Sequence, residues 1–189
     1  MVNPQEDADQ EIVITFFETR QLKAERFSAH EIGVGKTPDF KIKNAAGIVA
    51  YCEMKSPQDI FNERLEETIK KADGKIAGII ESGTKSRQYR CIERAAKKAA
   101  IQFDAVNAPH SVPNILAIVN HDRYTKCHDF EEVLTGCFKE IRTGQALRDE
   151  IPQIDVYIWI DGESGKIIGR IFRHENPLKE TVRNLLALE

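Results

Sequence analysis

A strand-length apolar run, Ile48-Val49-Ala50-Tyr51-Cys52, ends in Glu53-Met54-Lys55, and fourteen positions before Glu53 an aspartate, Asp39, follows Pro38. A run this short and this continuously apolar is the pattern of a strand buried on both faces. Such a strand needs neighbours and covering layers, so residues 47–55 predict the interior of a sheet. Residues 38–43 predict a second strand with alternating side chains, and 44–47 (Asn-Ala-Ala-Gly) supply a turn between the two. Paired in this way, the strands bring Asp39 close to Glu53. Glu53 and Lys55 are two apart and point to one face, while Met54 points to the other, into packing.

The remaining pattern predicts helices around that sheet. Over 12–27, Ile12, Val13, Phe16, Phe17, Ala24 and Phe27 share one helical face, with residues 1–10 frayed and flexible before it. Residues 30–35 read as a short extended segment. Ser56-Pro57 starts a helix well, with Asp59 in its first turn, and Ile60, Phe61, Leu65, Ile69 and Ala72 follow at helical spacing. That helix ends at Gly74 or bends and continues through Ile80. The clearest amphipathic helix is 86–103. A strand at 115–120, a helix at 130–142, a hairpin of 154–160 and 166–173, and a closing helix at 177–188 complete the order. The fold class is therefore α/β: one domain, residues 1–189, with a mixed central β-sheet flanked by helices and a C-terminal β-hairpin and helix.

Composition agrees. At 189 residues and 41% apolar, the chain can fill one core. No apolar stretch approaches membrane-spanning length, and the acidic, polar start is not a signal peptide, so a cytoplasmic location is expected. Cys52, Cys91, Cys127 and Cys137 show no CxxC spacing and read as reduced thiols. The net charge of −3 argues against wholesale coating of nucleic acid but is compatible with a local basic surface.

The chemistry centres on Asp39, Glu53 and Lys55. Magnesium takes oxygen ligands and keeps several waters, so one or two carboxylates plus substrate oxygens suffice to hold it. A lysine beside it can stabilise charge developing on an attacked phosphorus or orient a water. Pro38-Asp39 and Glu53-Met54-Lys55, with the apolar strand before ExK, resemble the PD-(D/E)XK nuclease superfamily of restriction-endonuclease-like fold. The element order from about Ile12 to Asn120 is similar as well. The resemblance implies a hydrolase, a Mg²⁺-dependent endonuclease cutting phosphodiester bonds in DNA, with Mn²⁺ as a substitute. Asp39, Glu53 and the Met54 carbonyl would be the metal ligands, and Lys55 would position or activate the water. Two alternatives stay open: a nuclease acting on RNA or structured DNA, and a catalytically silent nucleic-acid-binding or assembly subunit.

In that superfamily an acid of the first helix often completes the site. Glu11, Glu18 and Glu25 lie seven apart on one stripe. Glu18 is preferred, since Ile14 and Leu22 flank it at i−4 and i+4; Glu31 is the alternative if the first strand carries the acid. On helix 86–103, Arg87, Arg90, Arg94, Lys97 and Lys98 form a row that could follow a phosphate backbone, with Gln88 as a further polar contact. The bland reading of that row is the solvated face of an amphipathic helix. His121, Cys127, His128 and Cys137 can each bind metal, but their spacing fits no zinc template. Gly33-Val34-Gly35-Lys36-Thr37 lacks the P-loop spacing and is discounted. Cutting both strands of a duplex would call for a homodimer, with strand 157–160 as one candidate interface.

Overall fold

The structure, a computed structural model, describes residues 4–56, 77–121, 126–136 and 146–186; for Pro4 and residues 77–89 the backbone alone is described. Six strands form one mixed sheet, and six helices are present among the described residues. In chain order these are α1 (Pro4–Glu18), β1 (Lys23–Arg26), α2 (Ala29–Val34), β2 (Phe40–Asn44), β3 (Gly47–Lys55) and α3 (Ala77–Val106). They continue as β4 (Asn114–Asn120), α4 (Cys127–Thr135), α5 (Leu147–Glu150), β5 (Val156–Asp161), β6 (Ile167–Phe172) and α6 (Lys179–Leu185).

The strands lie side by side in sequence order. β1–β2, β2–β3 and β5–β6 are antiparallel; β3–β4 and β4–β5 are parallel. β4 is buried along its whole length, as expected for a strand with helices on both faces. On one face Val13 and Phe17 of α1 and Val182 of α6 pack on Phe40, Ile42, Cys52, Met54, Ala117 and Ile158. On the other, Ile92, Ala96, Ala99 and Phe103 of α3 and Phe130, Val133 and Leu134 of α4 cover Leu116, Ile118, Tyr157 and Trp159. Phe130 and Trp159 are in ring contact, centroids 4.8 Å apart. No helix among the described residues is long and apolar enough to cross a membrane.

Several boundaries differ from the sequence expectation, each for a local reason. The first helix begins at Pro4, with Glu6 and Asp7 in its first turn, and stops at Glu18. Proline at a helix start and acids in the first turn suit the unpaired N–H groups there, so residues 4–10 are ordered as helix rather than frayed. Gln21 takes φ 60°, a left-handed turn, and the chain reverses into β1, which carries Ala24. Residues 29–34 are helical rather than extended because Ser28 and Glu31 form a reciprocal capping box. The 86–103 helix is longer, Ala77–Val106. The 130–142 helix begins earlier, at Cys127, and stops at Gly136, whose φ of 79° is the left-handed helix end that glycine favours. Of the helix expected from Ser56-Pro57 through Ala72, all but Ser56 lies outside the described residues. Strand 157–160 is no interface: Tyr157 to Ile160 are at most 2% exposed in the centre of the molecule.

Candidate active site

β2 and β3 place the Asp39 and Glu53 side chains on the same face. Phe40 pairs with Cys52, so Asp39, one residue earlier, stands opposite Glu53. Phe40, Cys52 and Met54 fill the α1 face, and strand alternation sends Asp39, Glu53 and Lys55 to the α3 face. The two acids brace each other's main chain. The Asp39 N–H donates to Glu53 Oε2 at 3.0 Å, and the Met54 N–H donates to Asp39 Oδ2 at 2.8 Å. Lys55 Nζ donates to Glu53 Oε1 and forms an ion pair with it.

Glu53 is fully buried, and Lys55 is partly exposed. Burial, then the negative charge of Asp39, pushes the Glu53 pKa up to about 7, against the opposing pull of Lys55. A fully buried acid beside a second acid is a costly arrangement for the bare protein, and one lysine only partly offsets it. Cys52, on the opposite face of the same strand, is a packing thiol; burial first, then the charges of Asp39 and Glu53, push its pKa up.

The arrangement suits a hard cation. Its donors are carboxylate oxygens, the ligand type magnesium or manganese takes, and two carboxylates suffice where water and substrate complete the shell. No group of three or more His, Cys, Asp or Glu side chains placed to hold a metal ion occurs among the described residues. The site is thus a two-carboxylate site at most from those residues.

Glu18 is not beside this pair: it is the exposed last residue of α1. The buried acid of that helix is Asp9, 0% exposed, which sequence reasoning missed. Asp9 accepts a hydrogen bond from Ser56 Oγ, the residue after Lys55, and lies 2.7 Å from His121 Nε2 beyond the end of β4. It reaches the strand end from the α1 face. Nine residues separate it from Glu18, about 13 Å along a helix. Its signal was present: Asp9, Val13 and Phe17 are spaced by four and form one buried stripe. Glu11 is exposed, Glu25 sits on β1 paired with Lys43, and Glu31 caps α2 and pairs with Lys41 at 2.5 Å.

Arg90, Arg94, Lys97 and Lys98 are exposed on α3, with Lys97 paired to Glu93. The side chains of Arg87 and Gln88 lie outside the described residues. His128 is exposed, Cys127 packs against Gly169, and His121 is engaged by Asp9, so these three do not converge on a zinc site. Cys137 lies outside the described residues. A second polar cluster occupies the opposite end of the sheet, where buried Asp155 meets His110 at 2.6 Å, the Asn114 N–H at 2.8 Å and Arg173 at 3.6 Å.

Comparison with protein-family models, with curated proteins and with solved structures found no match to this chain.

Proposed function

We propose that this chain is a divalent-metal-dependent nuclease of the PD-(D/E)XK type, hydrolysing phosphodiester bonds in DNA. The observation that carries the reading is the mutual bracing of Asp39 and Glu53 beside Lys55, with a wholly buried Glu53 carboxylate. The element order supports it. A helix, three antiparallel strands, a helix and a parallel strand run from α1 to β4, as in a restriction-endonuclease-like core, with α2 inserted between the first two strands.

In this reading Asp39 and Glu53, with the Met54 carbonyl, hold Mg²⁺ or Mn²⁺. The ion, when bound, supplies Lewis-acid polarisation of a phosphoryl oxygen and lowers the pKa of a bound water. The chain's own residues do the rest. The reciprocal main-chain bonds keep both carboxylates in place before substrate arrives, so little reorganisation is needed. Lys55 puts a positive charge, anchored on Glu53, where negative charge builds on the attacked phosphate. The Met54 side chain stays in the core and fixes the strand that carries both neighbours.

The test is hydrolysis of plasmid and oligonucleotide DNA in Mg²⁺ or Mn²⁺. Asp39→Ala, Glu53→Ala and Lys55→Ala should each lower the rate by about a hundredfold or more. Activity that survives all three substitutions refutes the site.

A further inference from the structure

Resting on the nuclease reading, we propose that Asp9, with His121 behind it, is a positioning residue for Lys55: it holds Ser56 and so fixes the direction in which β3 delivers the lysine. Lys55 is the last residue of β3, where the strand ladder ends. Successive side chains of a strand leave opposite faces. Met54, before Lys55, is buried in the α1 face. Ser56, after it, donates from Oγ to Asp9 of α1. With both neighbours held against α1, Lys55 is turned to the other face, where its ammonium meets Glu53 Oε1.

The anchor is itself held from several sides. Asp9 is fully buried. Its Oδ1 lies 2.7 Å from His121 Nε2 and accepts from Gln5 Nε2 at 3.1 Å, while Oδ2 takes Ser56. The His121 ring rests on Gly162, where a Cβ would overlap it, and the Gly162 N–H donates to the Asn120 carbonyl at 2.9 Å. Ser56, His121 and Gly162 are the residues that follow the parallel strands β3, β4 and β5 at their carboxyl ends. Open α/β sheets bind their ligands outside these strand ends. One carboxylate of α1 thus reaches the end of the catalytic strand and is backed by the ends of its two neighbours.

Stability alone does not account for an acid at this position. Asp9 shares its spacing with Val13 and Phe17 on the buried stripe of α1, and no lysine or arginine pairs with it among the described residues. An apolar side chain there would continue the stripe without the cost of burying a carboxylate. The acid adds a bond of fixed direction to one hydroxyl, next to the one cation of the site. It acts on the strand and not on the metal: Asp39 and Glu53 are braced by each other's main chain, through bonds in which Ser56 has no part.

The experiment compares Ser56→Ala, Ser56→Thr, Asp9→Ala and Asp9→Asn in the full chain, each well below its melting temperature. Ser56→Ala and Asp9→Ala should lower kcat on plasmid DNA by about tenfold, since a misplacement of about 1 Å costs that much or more. KM for DNA and Mn²⁺ affinity by calorimetry should stay at the parent values. Ser56→Thr keeps the hydroxyl and Asp9→Asn keeps an acceptor for it, so both should recover most of the rate. In a Lys55→Ala background, Ser56→Ala should lower kcat no further, because its effect passes through the lysine. Without metal or DNA, the proton resonance of the Lys55 ammonium, slowed in exchange by its bond to Glu53, should be lost in Ser56→Ala. A parent kcat and an intact ammonium resonance in Ser56→Ala would overturn the positioning role and leave the nuclease reading standing. Equal losses of kcat with and without Lys55 would overturn it too, as would weakened Mn²⁺ binding in Asp9→Asn, which would make Asp9 a ligand. A parent chain that neither binds nor cuts nucleic acid would remove the nuclease reading and this role together.

Discussion

Asp39 and Glu53 are fourteen residues apart in sequence, and each accepts a hydrogen bond from the main chain of the other's strand, at 2.8 Å and 3.0 Å. The pairing makes the folded state sensitive to anything that removes negative charge from it. Glu53 ionises at about 7 in the fold against an ordinary value of 4.5, because burial and then Asp39 oppose its charge. A raised acid holds its proton in the folded chain after the unfolded chain has lost its own. Stability from this group is therefore greatest below pH 4.5 and declines as pH rises to about 7. In EDTA, the urea midpoint should be lower at pH 8 than at pH 6, and Glu53→Gln should flatten that difference. Added Mg²⁺ or Mn²⁺ should raise the midpoint more at pH 8 than at pH 6, since proton and cation compete for the same oxygens.

Asp9 ties three elements together, and its removal should be felt well beyond α1. Asp9→Ala leaves the half-buried Ser56 and His121 without their shared partner and should cost about 1–3 kcal/mol by chemical denaturation. Gly162 offers an independent check. A Cβ there would lie 2.3 Å from His121 Cε1 and 2.7 Å from Nε2, so the whole imidazole must move off Asp9. Gly162→Ala should thus resemble His121→Ala in stability, and combining the two should add little. Full additivity would show that the Gly162→Ala loss does not act through the His121 ring.

How much of this was legible beforehand differs from element to element. β3 was read with its observed bounds because a strand covered on both faces cannot hide its apolar run, and the facing of Asp39 on Glu53 followed from the turn at 44–47. The first helix was misplaced because its start is polar all round. Pro4, Glu6 and Asp7 mark a helix N-terminus by chemistry that apolar periodicity does not register. Phe27 looked like the last residue of that helical stripe, yet it is buried through a strand and a reversal at Gln21, which no spacing rule anticipates. α2 could have been found: Ser28-x-x-Glu31 is a capping-box pattern, although it precedes no apolar run. Glu18 is preferred over Glu11 and Glu25 on its flanking residues, and Asp9 is missed although it shares a spacing of four with Val13 and Phe17, the stripe that turns out buried.

The Asp155 cluster should separate stability from chemistry. It lies at the amino ends of β4 and β5, away from Lys55 at the carboxyl end of β3. Asp155 is fully buried and faces the largely buried Arg173 at 3.6 Å, so Asp155→Ala strands a guanidinium in a poorly solvated place. The expected loss is about 3 kcal/mol or more. Below its lowered melting temperature, the variant should hydrolyse DNA at the parent kcat. A fall in kcat out of proportion to the folded fraction would show that the two ends of the sheet are coupled.

Exposed arginines on an amphipathic helix are ordinarily its solvated side, so Arg90 and Arg94 of α3 need a measurement that tells solvation from contact. Counterion release provides one. Each phosphate neutralised by the protein contributes about one unit to the slope of log affinity against log salt. Reversing both, Arg90→Glu and Arg94→Glu, should weaken DNA binding at low salt and flatten the slope by about two units if both touch phosphates. Stability should be nearly unchanged, because both side chains are exposed. The ratio of affinities for matched and unmatched sequences should also hold, since phosphate contacts carry no base information. An unaltered slope would return the row to the solvated face of α3 and place the phosphate contacts on other parts of the chain.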